Sequence, residues 1–467
     1  MEIEAAWAVG SLEGMETTAY RIDGHKMLEH WITVPLDYFG AMGLLPHDGA
    51  TRNVPSTIEV FAREYVRDGH DSDPRLVFFQ GGPGSAGPRM APIGSWLETA
   101  LDHFRVVLID ERGTGNSHPL EALAVTAAGD PDVQAAYLSC FRQDSIVRDA
   151  EALREALQGD LPWATLGQSF GGFTVTAYLA QSPKGLSEAF ITAGLPSTHL
   201  PADEVYRRTY KSTATRNKEF FVRYPEDEAA AWFIATHLAD VEETMPNGER
   251  LTPARFRQLG IVLGYSYGLE LLHFLLENPV WQCGGQRRLR PQFLARVCEQ
   301  LSYAHNPLYG VIHEAIYGQR SSGPTAWAAQ RMRGEYPEFR LPELAAGGSG
   351  ELDLRREEGG FRFTGETIYP WQVASDPALA PMAEAAEKLA FHTQWPELYP
   401  QAALAENTVP TAAWIYVDDM FVPYEISLAT AHEIRGLKPL ITNDYHHDGL
   451  RTGGPQMIER LIKAVRS

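Results

Sequence analysis

The sequence predicts an α/β fold: a mostly parallel central sheet flanked by helices, opened after its sixth strand by a large helical insertion. Three observations lead there. Short, wholly apolar runs, the mark of strands buried on both faces, alternate with amphipathic helical stretches up to about residue 196. Helical periodicity then takes over, with many aromatic and charged residues, to about residue 405. From there the alternation of strand and helix returns. The chain is therefore expected to divide into a first core part (residues 1–196), a helical cap (197–405) and a second core part (406–467).

Each element has its own signal. Glu29–Val34 and Thr57–Glu64 carry β-branched residues in alternation, and Pro35 and Asp37 close the first. Leu76–Phe79 and Phe104–Ile109 are buried-type strands. The first ends in Gly81-Gly82-Pro83-Gly84 and the second in Asp110-Glu111-Arg112-Gly113. In Asp144–Leu157, the residues Ile146, Ala150, Leu153 and Leu157 recur at helical spacing. Trp163–Leu166 runs into Gly167-Gln168-Ser169-Phe170-Gly171, an apolar helix follows over Phe173–Ala180, and Glu188–Ala193 is the next strand. Within the insertion, Tyr206–Tyr224, Asp227–Leu238 and Thr252–Leu276 read as helices, and the glycine-rich Ala346–Gly360 as an exposed loop. Ala412–Val417 and Pro439–Thr442 are late strands that lead to Asp418-Asp419 and His446-His447, and Pro455–Val465 is a closing amphipathic helix.

Composition narrows the function. The 467 residues are 44% hydrophobic and 21% charged, ordinary for a globular chain. A formal net charge of -20 argues against a nucleic-acid partner, which needs clustered Lys and Arg. It weakly favours cationic substrates, such as peptides with a free amino terminus. The start, Met1-Glu2-Ile3-Glu4, lacks the basic-then-apolar run of a signal peptide, and no apolar stretch is long enough to span a bilayer. Cys140, Cys283 and Cys298 form neither a CxxC metal site nor a disulfide framework. They read as buried or partly buried thiols of a protein in the reducing cytoplasm.

The chemistry centres on Ser169. Gly167-Gln168-Ser169-Phe170-Gly171 fits G-x-S-x-G, set between an apolar strand and an apolar helix, the context in which that pattern forms a nucleophile elbow. A sharp strand-to-helix turn forces the serine into a strained conformation, and its neighbours two residues away must lack side chains. This is the α/β-hydrolase fold, where the chain order of the triad is Ser, then Asp or Glu, then His. The late strand ends supply both partners. Asp419 stands four residues before Pro423, the spacing associated with the orienting carboxylate, while Asp418 is the alternative and can cap the turn. His447, followed by Asp448-Gly449, is preferred to His446. A metal site at His446, His447 and Asp448 is the competing reading, but adjacent histidines point apart on an extended chain and no third ligand is evident. No cofactor or metal is expected. The loop Gln80–Gly84 and the residue after the serine are expected to donate the oxyanion-hole amides, from Gly82 and Phe170.

Four stretches resemble the proline iminopeptidase (prolyl aminopeptidase) family, the large-cap branch of the α/β-hydrolase serine peptidases. They are Gly81-Gly82-Pro83-Gly84, Asp110-Glu111-Arg112-Gly113-Thr114-Gly115-Asn116-Ser117, Gly167-Gln168-Ser169-Phe170-Gly171-Gly172 and His447-Asp448-Gly449-Leu450-Arg451. The likeness covers both core parts and is vaguer across the cap. It implies release of N-terminal proline from peptides, without metal or cofactor, and carboxylates on the cap side that bind the substrate's amino group. Glu314 is the first candidate for that role, with Glu366 and Glu204 behind it. Asp110 and Arg112 are expected to hold their turn together rather than touch substrate.

Overall fold

A computed structural model describes residues 4–12, 15–44, 52–90, 93–339 and 360–467. All but the last residue of the stretch Ala346–Gly360, read above as a loop, lies outside them. Among the described residues the strands are β1 (Glu4–Leu12), β2 (Met15–Ile22), β3 (His25–Pro35), β4 (Thr57–Arg67), β5 (Arg75–Phe79), β6 (Arg105–Asp110), β7 (Trp163–Gln168), β8 (Leu186–Thr192), β9 (Val280–Cys283), β10 (Gln286–Leu289), β11 (Thr411–Tyr416) and β12 (Leu437–Thr442). Ten of them form one sheet in the order β1-β2-β3-β4-β6-β5-β7-β8-β11-β12. The first four strands and the β4–β6 pair run antiparallel, and from β6 to β12 the sheet is parallel.

Side chains alternate between the two faces of the parallel strands, and both faces are covered. Phe78, Leu108, Leu166, Phe190 and Trp414 meet the helices Ser95–Ala100 and Gly449–Arg466 through Trp96, Leu97, Met457 and Leu461. Their neighbours Val77, Phe79, Val107 and Ile109 pack with Ile146 and Val147 of the helix Gln143–Gln158 and with Val175 and Tyr178 of Phe170–Gln181. Burial on both sides is why these strands read as unbroken apolar runs. The second cluster continues without interruption into the mostly helical segments between β8 and β11, through Phe256, Leu263, Leu308 and Phe363, so the insertion is packed onto the sheet.

Several elements depart from the sequence reading. Two N-terminal strands, β1 and β2, precede the first expected one, and the insertion therefore follows the eighth strand in chain order. The helix expected over Thr252–Leu276 is three pieces: Pro253–Arg257, a 3-10 stretch Gln258–Gly264 and Gly268–Leu276. Gly260 is the reason for part of the break, since a Cβ there would lie 2.2 Å from the Thr364 carbonyl oxygen. The hairpin β9–β10 was not foreseen, and it leaves Cys283 exposed rather than buried. Asp110 and Arg112 anchor their turn through different neighbours. Asp110 accepts the amides of Gly87 and Asn116 and pairs with Arg89. Arg112 is buried, pairs with Asp149 and donates to the carbonyls of Pro35, Leu36 and Cys140.

Candidate active site

Four carboxyl ends of parallel strands converge on one edge of the sheet. Gln80–Gly84 follows β5, Ser169 follows β7, Asp419 follows β11 and His447 follows β12. Ser169 sits at φ 58° and ψ -124°, in the positive-φ region that costs a non-glycine residue of order 1–3 kcal/mol. The elbow is tight enough to require its flanking glycines. A Cβ on Gly167 would fall 2.2 Å from the carbonyl oxygen of Gly171, and one on Gly171 would fall 2.1 Å from that of Phe79. Ser169 stands at the N-cap of the helix Phe170–Gln181; the amides of Gly172 and Phe173 donate to its carbonyl, and those of Phe170 and Gly171 have no intrahelical acceptor.

The three motif residues meet. The Ser169 Oγ lies 2.8 Å from His447 Nε2. His447 Nδ1 lies 2.9 Å and 3.1 Å from the two carboxylate oxygens of Asp419. Asp419 is itself held by the amides of Phe421 and Val422, which donate to its Oδ1 at 2.8 and 3.0 Å. All three residues are buried, and the Phe421 ring stands edge-on to the imidazole, 4.8 Å between centroids. Burial disfavours the imidazolium, but the charge and hydrogen bonds of Asp419 outweigh it and raise the His447 pKa above its ordinary value. The alternatives stand apart: Asp418 is exposed, and its main-chain carbonyl is 3.3 Å from His446 Nδ1. Nor do His446, His447 and Asp448 converge, because Asp448 accepts from the amide and hydroxyl of Ser266. Among the described residues no group of three or more His, Cys, Asp or Glu is arranged to hold a metal ion.

Ser169 and His447 open onto a pocket of about 220 Å³. Its wall includes Gly82, Tyr265, Tyr309, Glu366 and Arg451. The Gln80–Gly84 loop runs close beside the serine: a Cβ on Gly81 would lie 2.8 Å from that of Ser169. Of the three glutamates singled out in the sequence, Glu366 alone is among the residues lining this pocket. It accepts the Tyr309 hydroxyl at 2.8 Å, and burial together with the Glu366 charge keeps that hydroxyl protonated, far above its ordinary pKa. Glu314 is buried outside the pocket wall, and its two oxygens accept the amides of Ala328 and Ala329 at 3.0 and 2.8 Å. There it satisfies the start of the helix Ala328–Arg333. Burial raises its pKa to about 7. Glu204 lies on the outer part of the helix Ala202–Arg223, paired with Arg207 and Arg208. Tyr309, Tyr265 and Arg451 were given no role from the sequence. Arg451 lies within the motif after His447, which was the available signal, whereas Tyr309 and Tyr265 come from distant parts of the insertion.

A parallel sheet covered on both faces, a strained serine at a strand-to-helix elbow and a Ser–His–Asp row at the strand ends define an α/β hydrolase. The α/β hydrolase fold family matches residues 74–236. Over 449 residues the chain is 40% identical to a proline iminopeptidase of Aeromonas sobria, covering 96% of this chain and 98% of that one. It is 33% identical over 416 residues to the proline iminopeptidase aneH of Aspergillus aculeatus, covering 87% and 89%. The chain belongs to the proline iminopeptidase family.

Proposed function

We propose that the protein is a serine exopeptidase that releases N-terminal proline from peptides through an acyl-enzyme intermediate. The observation that carries the reading is one pocket onto which a hydrogen-bonded Ser169–His447–Asp419 row and the carboxylate of Glu366 both open. Kinship with two proline iminopeptidases supplies the substrate class.

In this reading Glu366 takes the substrate's secondary ammonium, because a cation in a closed pocket needs an anionic partner. Ser169 attacks the carbonyl of the N-terminal residue while His447 accepts its proton, and Asp419 fixes the imidazole tautomer and stabilises the imidazolium. The amides of Gly82 and Phe170 receive the oxyanion. His447 then protonates the leaving amine, and water, deprotonated by the same imidazole, releases proline. No step calls on a metal or cofactor. Glu366 is assigned the amino group rather than Glu314 or Glu204, whose carboxylates already serve backbone amides and arginines. Residues 197–405 act as a cap over the core formed by 1–196 and 406–467. No nucleic acid or membrane takes part; among the described residues no helix is long and apolar enough to cross a bilayer. Three unpaired cysteines suit the reducing cytoplasm.

The test is a panel of aminoacyl β-naphthylamides and short-chain nitrophenyl esters, with Ser169→Ala as control. Proline β-naphthylamide is expected to be the preferred substrate. Equal rates on the proline and leucine derivatives would defeat the proline assignment, and turnover of esters alone would make the protein an esterase on the same core.

A further inference from the structure

The pocket carries one feature that release of proline does not use. Arg451 is the single Lys or Arg among the described residues that line it, on a chain whose formal net charge is -20. Its side chain is exposed, and its guanidinium stands over the Tyr265 ring, 5.8 Å from the centroid. Among the described residues no carboxylate lies within ion-pairing distance of it. The residue lies in the short helical segment that follows His447 and ends at a kink, where Gly454 takes φ 43° and ψ -114°. Pairing with a carboxylate does not account for a positive charge at this position. The Glu366 carboxylate and the Arg451 guanidinium thus line the same pocket as the Ser169 hydroxyl, an anion and a cation around one nucleophile.

We infer that Arg451 binds the C-terminal carboxylate of a short substrate, so that the enzyme favours proline dipeptides over longer or blocked peptides. The inference rests on the proline reading above and deepens it. A dipeptide is a zwitterion: its ammonium meets Glu366, its terminal carboxylate meets Arg451, and the only peptide bond between them is the one that Ser169 attacks. A guanidinium suits this task because its N–H groups form a planar fork that matches a carboxylate. In a longer peptide the carboxylate moves away from the fork by one residue length for each residue added, and the contact is lost.

The experiment compares kcat/KM for Pro-Gly, prolylglycinamide and prolyl-aspartic α-amide in the wild type, Arg451→Gln and Arg451→Lys. The wild type is expected to prefer Pro-Gly to its amide by about tenfold or more, the size of a charge-assisted hydrogen bond. Arg451→Gln is expected to bring that ratio to within about twofold of one, and Arg451→Lys to retain part of it. A wild-type ratio near one, or a ratio unchanged in Arg451→Gln, overturns the inference. Equal preference for the aspartic α-amide, whose carboxylate is on the side chain, would shift the assignment from the chain terminus to an acidic second residue and so overturn it too. Proline β-naphthylamide has no carboxylate and reports the proline reading by itself. Its turnover by the wild type with a Pro-Gly to amide ratio near one sinks the carboxylate role alone, whereas failure of the wild type on all four substrates sinks the proline reading and this role with it.

Discussion

The side-chain amide of Gln168 donates to the main-chain carbonyl of His447 at 3.2 Å. The residue before the serine is thereby fastened to the loop that carries the imidazole, so the two halves of the core are joined within one residue of the reacting groups. Gln168 is buried, lines the pocket beside Ser169, and holds this loop through its side-chain amide. Gln168→Leu is expected to lower kcat by about tenfold with KM changed less than about twofold, because a small displacement of a catalytic group is costly. Steady-state kinetics on proline β-naphthylamide checks the split.

In the proposed mechanism Asp419 controls when the base is available. His447 must be neutral to accept the serine proton, and Asp419 raises its pKa. Activity is therefore expected to rise with pH through an acid limb lying above the ordinary histidine value, and to be lost below it. In Asp419→Asn the upward pull is gone while burial remains, so the limb moves to lower pH. The plateau is expected to fall by roughly 10³–10⁴. A pH profile of kcat/KM for both forms tests sign and size together.

Glu366 and Glu314 are separated by a pair of substitutions. Glu366→Gln keeps the shape and removes the charge that faces the pocket, and kcat/KM on proline β-naphthylamide is expected to fall by about 10–100-fold. Glu314→Gln, away from the pocket wall, is expected to change it by less than about threefold and to lower the melting temperature, because the amide side chain has one acceptor oxygen where two helix-start amides need one each. Kinetics and thermal unfolding on the two variants decide the matter.

The elbow's glycines are structural requirements. Gly171→Ala places a methyl group 2.1 Å from the Phe79 carbonyl, where β5 and the elbow helix meet. A loss of about 3 kcal/mol or more is expected, the range of severe core overpacking. Denaturant midpoints measure it, and near-native stability would show that the strand and helix are able to separate at little cost.

Much of the core was legible because its signals are local. Leu76–Phe79, Phe104–Ile109 and Trp163–Leu166 are strands by virtue of burial on two faces, which leaves an apolar run in the sequence itself. Ser169, Asp419 and His447 each stand next to a strand end with its own turn chemistry, so each could be named, although their contact is a property of the sheet order and not of any one stretch. The antiparallel margin was less visible. In β2 the apolar positions Ala19 and Ile22 alternate with polar ones only in part, because the strand lies near the sheet edge and is largely half-exposed. The insertion was the least legible. Thr252–Leu276 has helical periodicity throughout, but packing of Gly260 against Thr364 and of Gly264 against the Phe421 ring dictates a 3-10 turn in place of its middle. Glu366 follows a segment that is neither helix nor strand, and its place in the pocket wall comes from tertiary contacts such as the bond from Asn217 Nδ2 to the Phe363 carbonyl. Glu314, the first candidate for the role that the resemblance implies, is a buried acceptor at a helix start.

The most direct test is to find where a covalent bond forms. The enzyme is treated with an aryl fluorophosphonate, and the adduct is located by peptide mapping and mass spectrometry while residual activity on proline β-naphthylamide is followed. One adduct per chain on Ser169, rising in step with loss of activity and absent from Ser169→Ala, is the expected result. Full inactivation with the adduct on another residue, or undiminished activity with Ser169 quantitatively modified, would contradict the assignment of Ser169 as nucleophile.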